Sequence, residues 1–156
     1  MPQTREPPLQ EHRFFADLAP RYLALVAGCA ASAAFADGEF LFREGTRADD
    51  FFLIREGGIA LEIAAPGNGA FIVQTLGAGD IAGFSWLIEP HMWTSDGRAC
   101  GRVRAFKVNG ACLRGKCEKD AQLGYELMRR FAALASARLH ATRLQLLDVY
   151  GHAHGR

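Results

Sequence analysis

The chain has 156 residues, of which 49% are hydrophobic and 22% charged; this is one domain with a sizeable core rather than a disordered chain. Its 18 basic and 17 acidic residues leave a net charge of +1, which argues against a dedicated nucleic-acid surface. The polar start, MPQTREPPLQEHR, lacks the apolar run of a secretory leader. The longest uncharged stretch, Tyr22–Ala36, spans 15 residues, short of the roughly 20 that a membrane helix needs.

Residues 1–13 read as a disordered lead, residues 14–150 as the domain proper and residues 151–156 as a tail. Phe14, Phe15 and Leu18 supply apolar contacts ahead of a short helix. Pro20 suits that helix's first turn, and Gly28 the position just past its end. From Ala31 to Val108 short runs of Phe, Leu, Ile and Val alternate with turn signals such as Asp37-Gly38, Gly45, Gly57-Gly58, Pro66-Gly67-Asn68-Gly69 and Asp96-Gly97. Many short strands at this spacing imply an all-β sandwich or barrel. Glu39–Phe42 and Phe51–Ile54 read as strands, with Gly58–Ile63 and Phe71–Leu76 as a hairpin around the PGNG loop.

Leu76–Trp86, LGAGDIAGFSW, combines three glycines and an aspartate with apolar residues. A glycine turn entering a short helical segment presents free backbone N–H groups, which suit an anion. This stretch is the candidate ligand site.

After Asn109-Gly110 the chain becomes helical. Ala111–Glu118 forms one short helix, and Ala121–Tyr150 a long one without internal proline. Along it Tyr125, Met128, Ala132, Ala135, Leu139, Thr142, Leu146 and Val149 recur at alternating three- and four-residue steps, a coiled-coil seam. Leu127, Phe131, Leu134 and then Arg138 form a second stripe. Two stripes require two partners: the domain's own β region and, for the seam, a second copy of the helix, giving a homodimer. Packing of both stripes within one subunit is the alternative.

This order of elements resembles the cyclic nucleotide-binding domain family, which includes the sensor half of catabolite activator-type regulators. The resemblance rests on DGEFLFREG (37–45), FFLIREGGIAL (51–61) and Leu76–Gly83. It implies a mainly β fold with flanking helices: a β-barrel of jelly-roll (double-stranded β-helix) type, with a short N-terminal and a long C-terminal helix. It also implies a phosphate-binding cassette in which the glycine is followed by a ribose-binding glutamate and, nine residues later, by a phosphate-binding arginine. Here Gly83 is followed by Phe84, and the arginine position holds Trp93. The cassette is therefore expected to be degenerate, with Phe84, Trp86 and Trp93 forming an aromatic pocket.

Backbone N–H groups after Gly83, the hydroxyls of Ser85, Thr94 and Ser95, and Arg138 from the long helix remain as candidates to hold an anion. Arg138 is alternatively a solvated residue at the edge of the seam, and Phe84 and Trp86 alternatively plain core. The candidate ligand is a cyclic nucleotide or another small molecule; no cofactor is called for.

Family transcription factors continue from this helix into a helix-turn-helix module, whereas only six residues follow Tyr150 here. Direct DNA binding is not expected. His152 and His154 form a weak metal pair in the tail, and His91 alone in the β region does not make a cupin-type metal site. The four cysteines, Cys29, Cys100, Cys112 and Cys117, contain no CxxC pair and read as reduced thiols of a cytoplasmic protein. Cys112 and Cys117, five apart on one short helix, form either a redox pair or buried structural thiols. With no convergent set of titratable groups, no enzymatic activity is expected. The reading is a stand-alone regulatory or sensor domain signalling through its C-terminal helix. The alternative is a ligand-free protein-interaction subunit of the same fold.

Overall fold

The computed structural model of the chain describes residues 9–154, the side chains of 152–154 excepted. In chain order come two 3-10 turns (Leu9–Glu11 and Arg13–Phe15), α1 (Pro20–Ala27), β1 (Ala30–Phe35), β2 (Phe40–Phe42), β3 (Asp50–Ala65), β4 (Gly69–Leu76), β5 (Ile81–Ala82), β6 (Asp96–Asn109), α2 (Gly110–Lys119) and α3 (Ala121–His154). Pro20 opens α1 and Gly28 caps it, as their backbone preferences dictate. Asn109 caps α2, its side chain accepting from the Cys112 N–H at 2.9 Å.

The expected strands at Phe51–Ile54 and Gly58–Ile63 are one 16-residue strand, β3. Its register against β6 shifts between Ile54 and Glu56 and again between Glu56 and Gly58. Gly57 makes this bend sterically feasible: its φ is +85°, and a Cβ there would stand 2.2 Å from the Arg102 carbonyl oxygen. All strand pairing is antiparallel.

The sheet order is β1-β6-β3-β4, with β2 also on β6 and β5 also on β3. Each long strand thus changes partner along its length. β6 pairs with β2 near Gly97–Arg98 and with β1 over Val103–Val108. β3 pairs with β5 at Phe52–Leu53 and with β4 over Ile59–Ala65. The sheet doubles over at the bulges. The sheet is not a closed barrel, since β1 and β4 end the order without meeting; with the short N-terminal and long C-terminal helices it is the jelly-roll arrangement that the resemblance implies.

Alternation along β3 divides the core in two. Phe52 and Ile54 point into the roll with Phe42, Ile59, Leu76, Trp93, Val103 and Ala105. Phe51 and Leu53 face the other way, onto a layer built by Phe15, Leu18, Tyr22, Val26, Trp86, Leu113, Leu123, Leu127 and Phe131. The helices therefore pack on the outside of the roll.

Three further differences concern the ends and the thiols. Residues 9–13 of the expected lead belong to the packed structure: His12 is only 8% exposed, and Phe15 is buried. Residues 1–8 lie outside the described residues. α3 runs through Gly151 to His154 because nothing in that stretch breaks a helix outright; the His152 and His154 side chains and residues 155–156 lie outside the described residues. Cys29 and Cys112 form a disulfide, Cα–Cα 5.9 Å, across 83 residues, so these two are not the reduced thiols expected. The bond became possible because the end of α1 meets the first turn of α2, a juxtaposition that spacing along the chain does not reveal. Cys100 and Cys117 are free.

Candidate functional site

The glycine-rich stretch begins as a closed turn. The Gly77 N–H donates to Asp80 Oδ2 at 2.8 Å; the Gly79 N–H donates to the Ile54 carbonyl and the Ile54 N–H to the Asp80 carbonyl, each at 2.9 Å. Gly83 follows β5 with φ +114°. A Cβ there would lie 2.8 Å from Trp93 Cη2, 3.0 Å from Cζ3 and 3.3 Å from the Phe51 Cβ. Only glycine lets the indole and the backbone come this close. The chain then makes a single turn, with Leu87 N–H donating to the Phe84 carbonyl at 3.0 Å and Ile88 N–H to that of Ser85 at 3.3 Å.

The three aromatics expected to share a pocket lie apart. Trp93 is inside the roll, stacked on Phe42 at 3.8 Å with planes 8° apart. Trp86 lies on the helical side, fully buried and stacked on Phe51 at 4.8 Å. A Cβ on Gly110 would meet its side chain at 2.8 Å. Phe84 is half-buried beneath α3. Phe84 and Trp86 thus serve the helical face of the sheet, and Trp93, seven residues after Trp86, serves the interior of the roll. Ser85 and Ser95 are partly buried, and Thr94 is exposed where the chain returns toward β6.

What joins the turn to α3 is Phe131, which is 3% exposed. Its ring meets those of Phe14 at 4.8 Å, Phe51 at 5.4 Å, Trp86 at 5.5 Å and Phe84 at 5.7 Å, all edge to face. Two turns further along α3, the Arg138 guanidinium lies over the Phe84 ring, 4.9 Å from its centroid. Arg138 Nη2 is buried with no hydrogen-bond partner among the described residues. Burial pulls its pKa below the usual arginine value, and the Asp80 charge opposes that shift. Arginine nonetheless stays protonated in proteins, so this is a cation whose buried Nη2 has no partner among the described residues. It is not the solvated edge residue of the alternative reading.

The N-terminal turns bridge the glycine turn and α3, a role spacing alone did not suggest. Arg13 donates through Nε to the Gly79 carbonyl and through Nη2 to Asp80 Oδ1, each at 2.7 Å. Arg130 Nη2 donates to the Ala16 carbonyl at 2.9 Å. His12 Nδ1 accepts from the Phe14 N–H at 3.3 Å, and burial holds its pKa below the ordinary histidine value. Arg114 on α2 donates to the Trp86 carbonyl. Apart from the His12–Phe14 contact, these anchors join residues far apart in the chain and carry no local signal.

Along α3, Leu123, Leu127 and Phe131 are buried, with Leu134 and Arg138 half-buried behind them. The other stripe, Tyr125, Met128, Ala132, Ala135, Leu139, Thr142, Leu146 and Val149, is exposed throughout. The Thr142 hydroxyl donates to its own helix, at the Arg138 carbonyl, 2.9 Å away. Among the described residues no cluster of three or more His, Cys, Asp or Glu side chains is placed to hold a metal. No helix there is long and apolar enough to cross a membrane, and none forms a helix-turn-helix module.

The sequence profile described as "Cyclic nucleotide-binding domain" matches residues 33–120. No curated protein matches the chain. Among solved structures, a protein from Geobacter metallireducens described as a candidate cyclic nucleotide-binding protein is 36% identical, with TM-score 0.76; the match covers 85% of this chain and 96% of that one. The catabolite activator protein of Thermus thermophilus is 19% identical, with TM-score 0.69, over 88% of this chain and 62% of its own. The regulatory domain of Toxoplasma gondii PKA, solved with cAMP, is 22% identical, with TM-score 0.66, over 83% of this chain and 47% of its own. The last two likenesses are of fold.

Proposed function

The chain belongs to the cyclic nucleotide-binding domain family, and from that premise we propose that it is a regulatory domain with a degenerate cassette that takes a small anionic ligand against Arg138 and signals through α3. The observation that carries this reading is the Arg138 guanidinium over Phe84, its buried Nη2 without a partner among the described residues. A buried donor without a partner is costly, and an oxyanion seated between the 83–85 turn and α3 would relieve it. In this reading Arg138 supplies the positive charge from the helical side of the sheet, across from the Trp93 position inside the roll. The conformational lever is the Leu127–Phe131–Arg138 stripe: a ligand that favours one packing of Arg138 on Phe84 shifts α3, and with it the exposed seam. That seam is the homodimer interface in this proposal, supported by its eight exposed positions at coiled-coil spacing. The coupling itself rests on analogy with the family.

The test is thermal unfolding of a defined oligomer with and without millimolar cyclic AMP or cyclic GMP. A ligand at a hundred times its dissociation constant adds about 2.7 kcal/mol of stability. In a chain of this size that raises Tm by about 5–10 °C. Arg138→Met, which keeps the packing and removes the charge, should abolish the shift.

A second reading, a ligand-free interaction subunit, draws on the roll interior. Trp93 stacks on Phe42 and closes over Gly83, which supports a cassette occupied by its own side chains. No shift with either nucleotide, together with an unchanged Tm in Arg138→Met, would favour it.

A further inference from the structure

Cys29 and Cys112 join the end of α1 to the first turn of α2. Their surroundings differ sharply from those of the two free thiols. Cys112 is the third residue of the ten-residue α2, where the helix macrodipole stabilises a thiolate. One turn on, Lys116 reaches back across the junction. Its Nζ donates to the Leu25 carbonyl at 2.7 Å, and it stands 2.6 Å from where a Gly28 Cβ would be. A fixed cation therefore sits beside the residue preceding Cys29 and on the same helix as Cys112.

Exposure also differs between the two residues: Cys29 is 8% exposed, whereas Cys112 is half-buried. Cys117, by contrast, has its thiol pKa pushed up by burial and by the Asp120 and Glu118 charges. Cys100 is exposed and lies in a strand, away from any helix N-terminus.

We propose that Cys112 is a thiol-exchange site, at which a low-molecular-weight thiol of the glutathione class attacks the Cys29–Cys112 disulfide and leaves Cys112 as a mixed disulfide. The incoming thiolate bonds to Cys112 Sγ, and the Cys29 sulfur leaves with the electron pair and takes a proton from solvent. A second thiolate attacks the outer sulfur of the mixed disulfide and releases Cys112 as a thiolate. Net, two small thiols are oxidised to their disulfide and the protein disulfide is reduced by two electrons. Access decides which sulfur is attacked. The helix terminus and Lys116 stabilise the reduced product, which makes the bond an exchangeable one and not a permanent staple.

The junction ties this exchange to the helices. Opening it leaves α2 held to α1 by the Lys116–Leu25 bond and by apolar contacts around Leu113. α2 leads directly into α3. The site is thus placed to set how firmly the base of α3 is held.

The experiment exposes the full chain to graded ratios of reduced to oxidised glutathione, quenches with acid, alkylates and maps each cysteine by mass spectrometry. The expected result is a glutathione adduct on Cys112 at least tenfold more abundant than on Cys29, followed by full reduction of both. In Lys116→Met, the reduced-to-oxidised ratio at fixed glutathione should fall several-fold. An adduct mainly on Cys29 would overturn the proposal, as would a bond that survives excess reductant in the native protein, or two cysteines already alkylated without reductant. As a second arm, Cys29→Ser leaves Cys112 as a single thiol at this junction. Its alkylation rate should rise with pH at a lower midpoint than that of Cys117; a midpoint equal or higher refutes the assignment.

Discussion

Replacing Phe131 with alanine tests whether the ring cluster fastens α3 to the candidate site. The side chain is 3% exposed and contacts four other rings at centroid distances of 4.8–5.7 Å. A buried Phe→Ala change costs about 3–5 kcal/mol. Edge-to-face pairs add about 0.5–1.5 kcal/mol each, but pairs sharing one ring do not add fully. A total near 4–5 kcal/mol follows, a large fraction of the roughly 5–15 kcal/mol that holds a domain. At about 3 °C per kcal/mol the Tm should fall by about 12–15 °C. Leu146→Ala, on the seam side at 56% exposure, serves as a control expected to move Tm by less than about 2 °C in dilute solution. The assay is differential scanning fluorimetry checked by urea unfolding. A Phe131→Ala shift within about 3 °C of the control would refute the view that this ring carries the contact between turn and helix.

Three other outcomes are expected. Gly83→Ala combines a left-handed backbone with a 2.8 Å approach to the Trp93 indole, for a cost of about 2–4 kcal/mol; in a Trp93→Leu background the extra cost should drop to about 1–2 kcal/mol, and equal costs in both backgrounds would show that the indole is not the obstacle. His12 is buried with its pKa held below the unfolded value of 6.5, so the unfolded chain binds the extra proton first. Its contribution is whole above that value and is lost as pH falls from there toward the folded pKa; urea unfolding at pH 7.5 and 5.5 should show a drop that His12→Gln lacks. Beyond Arg138 every residue to Gly151 is exposed, and a free helical segment of that length is marginal in water. Far-ultraviolet circular dichroism should therefore gain helical signal as protein concentration rises, in step with dimer formation by light scattering, and Leu139→Glu should remove both.

What could be read from the sequence was whatever local chemistry dictates. Pro20 and Gly28 bracket α1, Asn109 caps α2, and the two stripes of α3 separate cleanly into a packed face and an exposed one. The turn at Gly83 was legible as a turn. The divergence of Trp86 and Trp93 was not, because the face each side chain takes depends on how the chain doubles back after β5. The fusion of two expected strands into β3 escaped for a related reason: Gly57-Gly58 marks a turn and a bulge equally well. Arg13 and Arg130, which hold the N-terminal turns, bond to residues 66 and 114 positions away. Nothing in their own neighbourhood marks them. The Cys29–Cys112 bond likewise depends on the meeting of two helix ends.

The two bent strands, β3 and β6, belong to both halves of the roll. Neither half can exchange its amide protons through an opening of its own, since breaking the β3–β6 ladder anywhere near the bend disturbs both. Amides of Phe52–Ile54 and of Ile59–Leu61 should therefore share a single protection level set by global unfolding, while those of the helical layer can open at lower free energy. With that outcome the roll is the stationary reference for the helices, and rearrangement is expected in the outer layer.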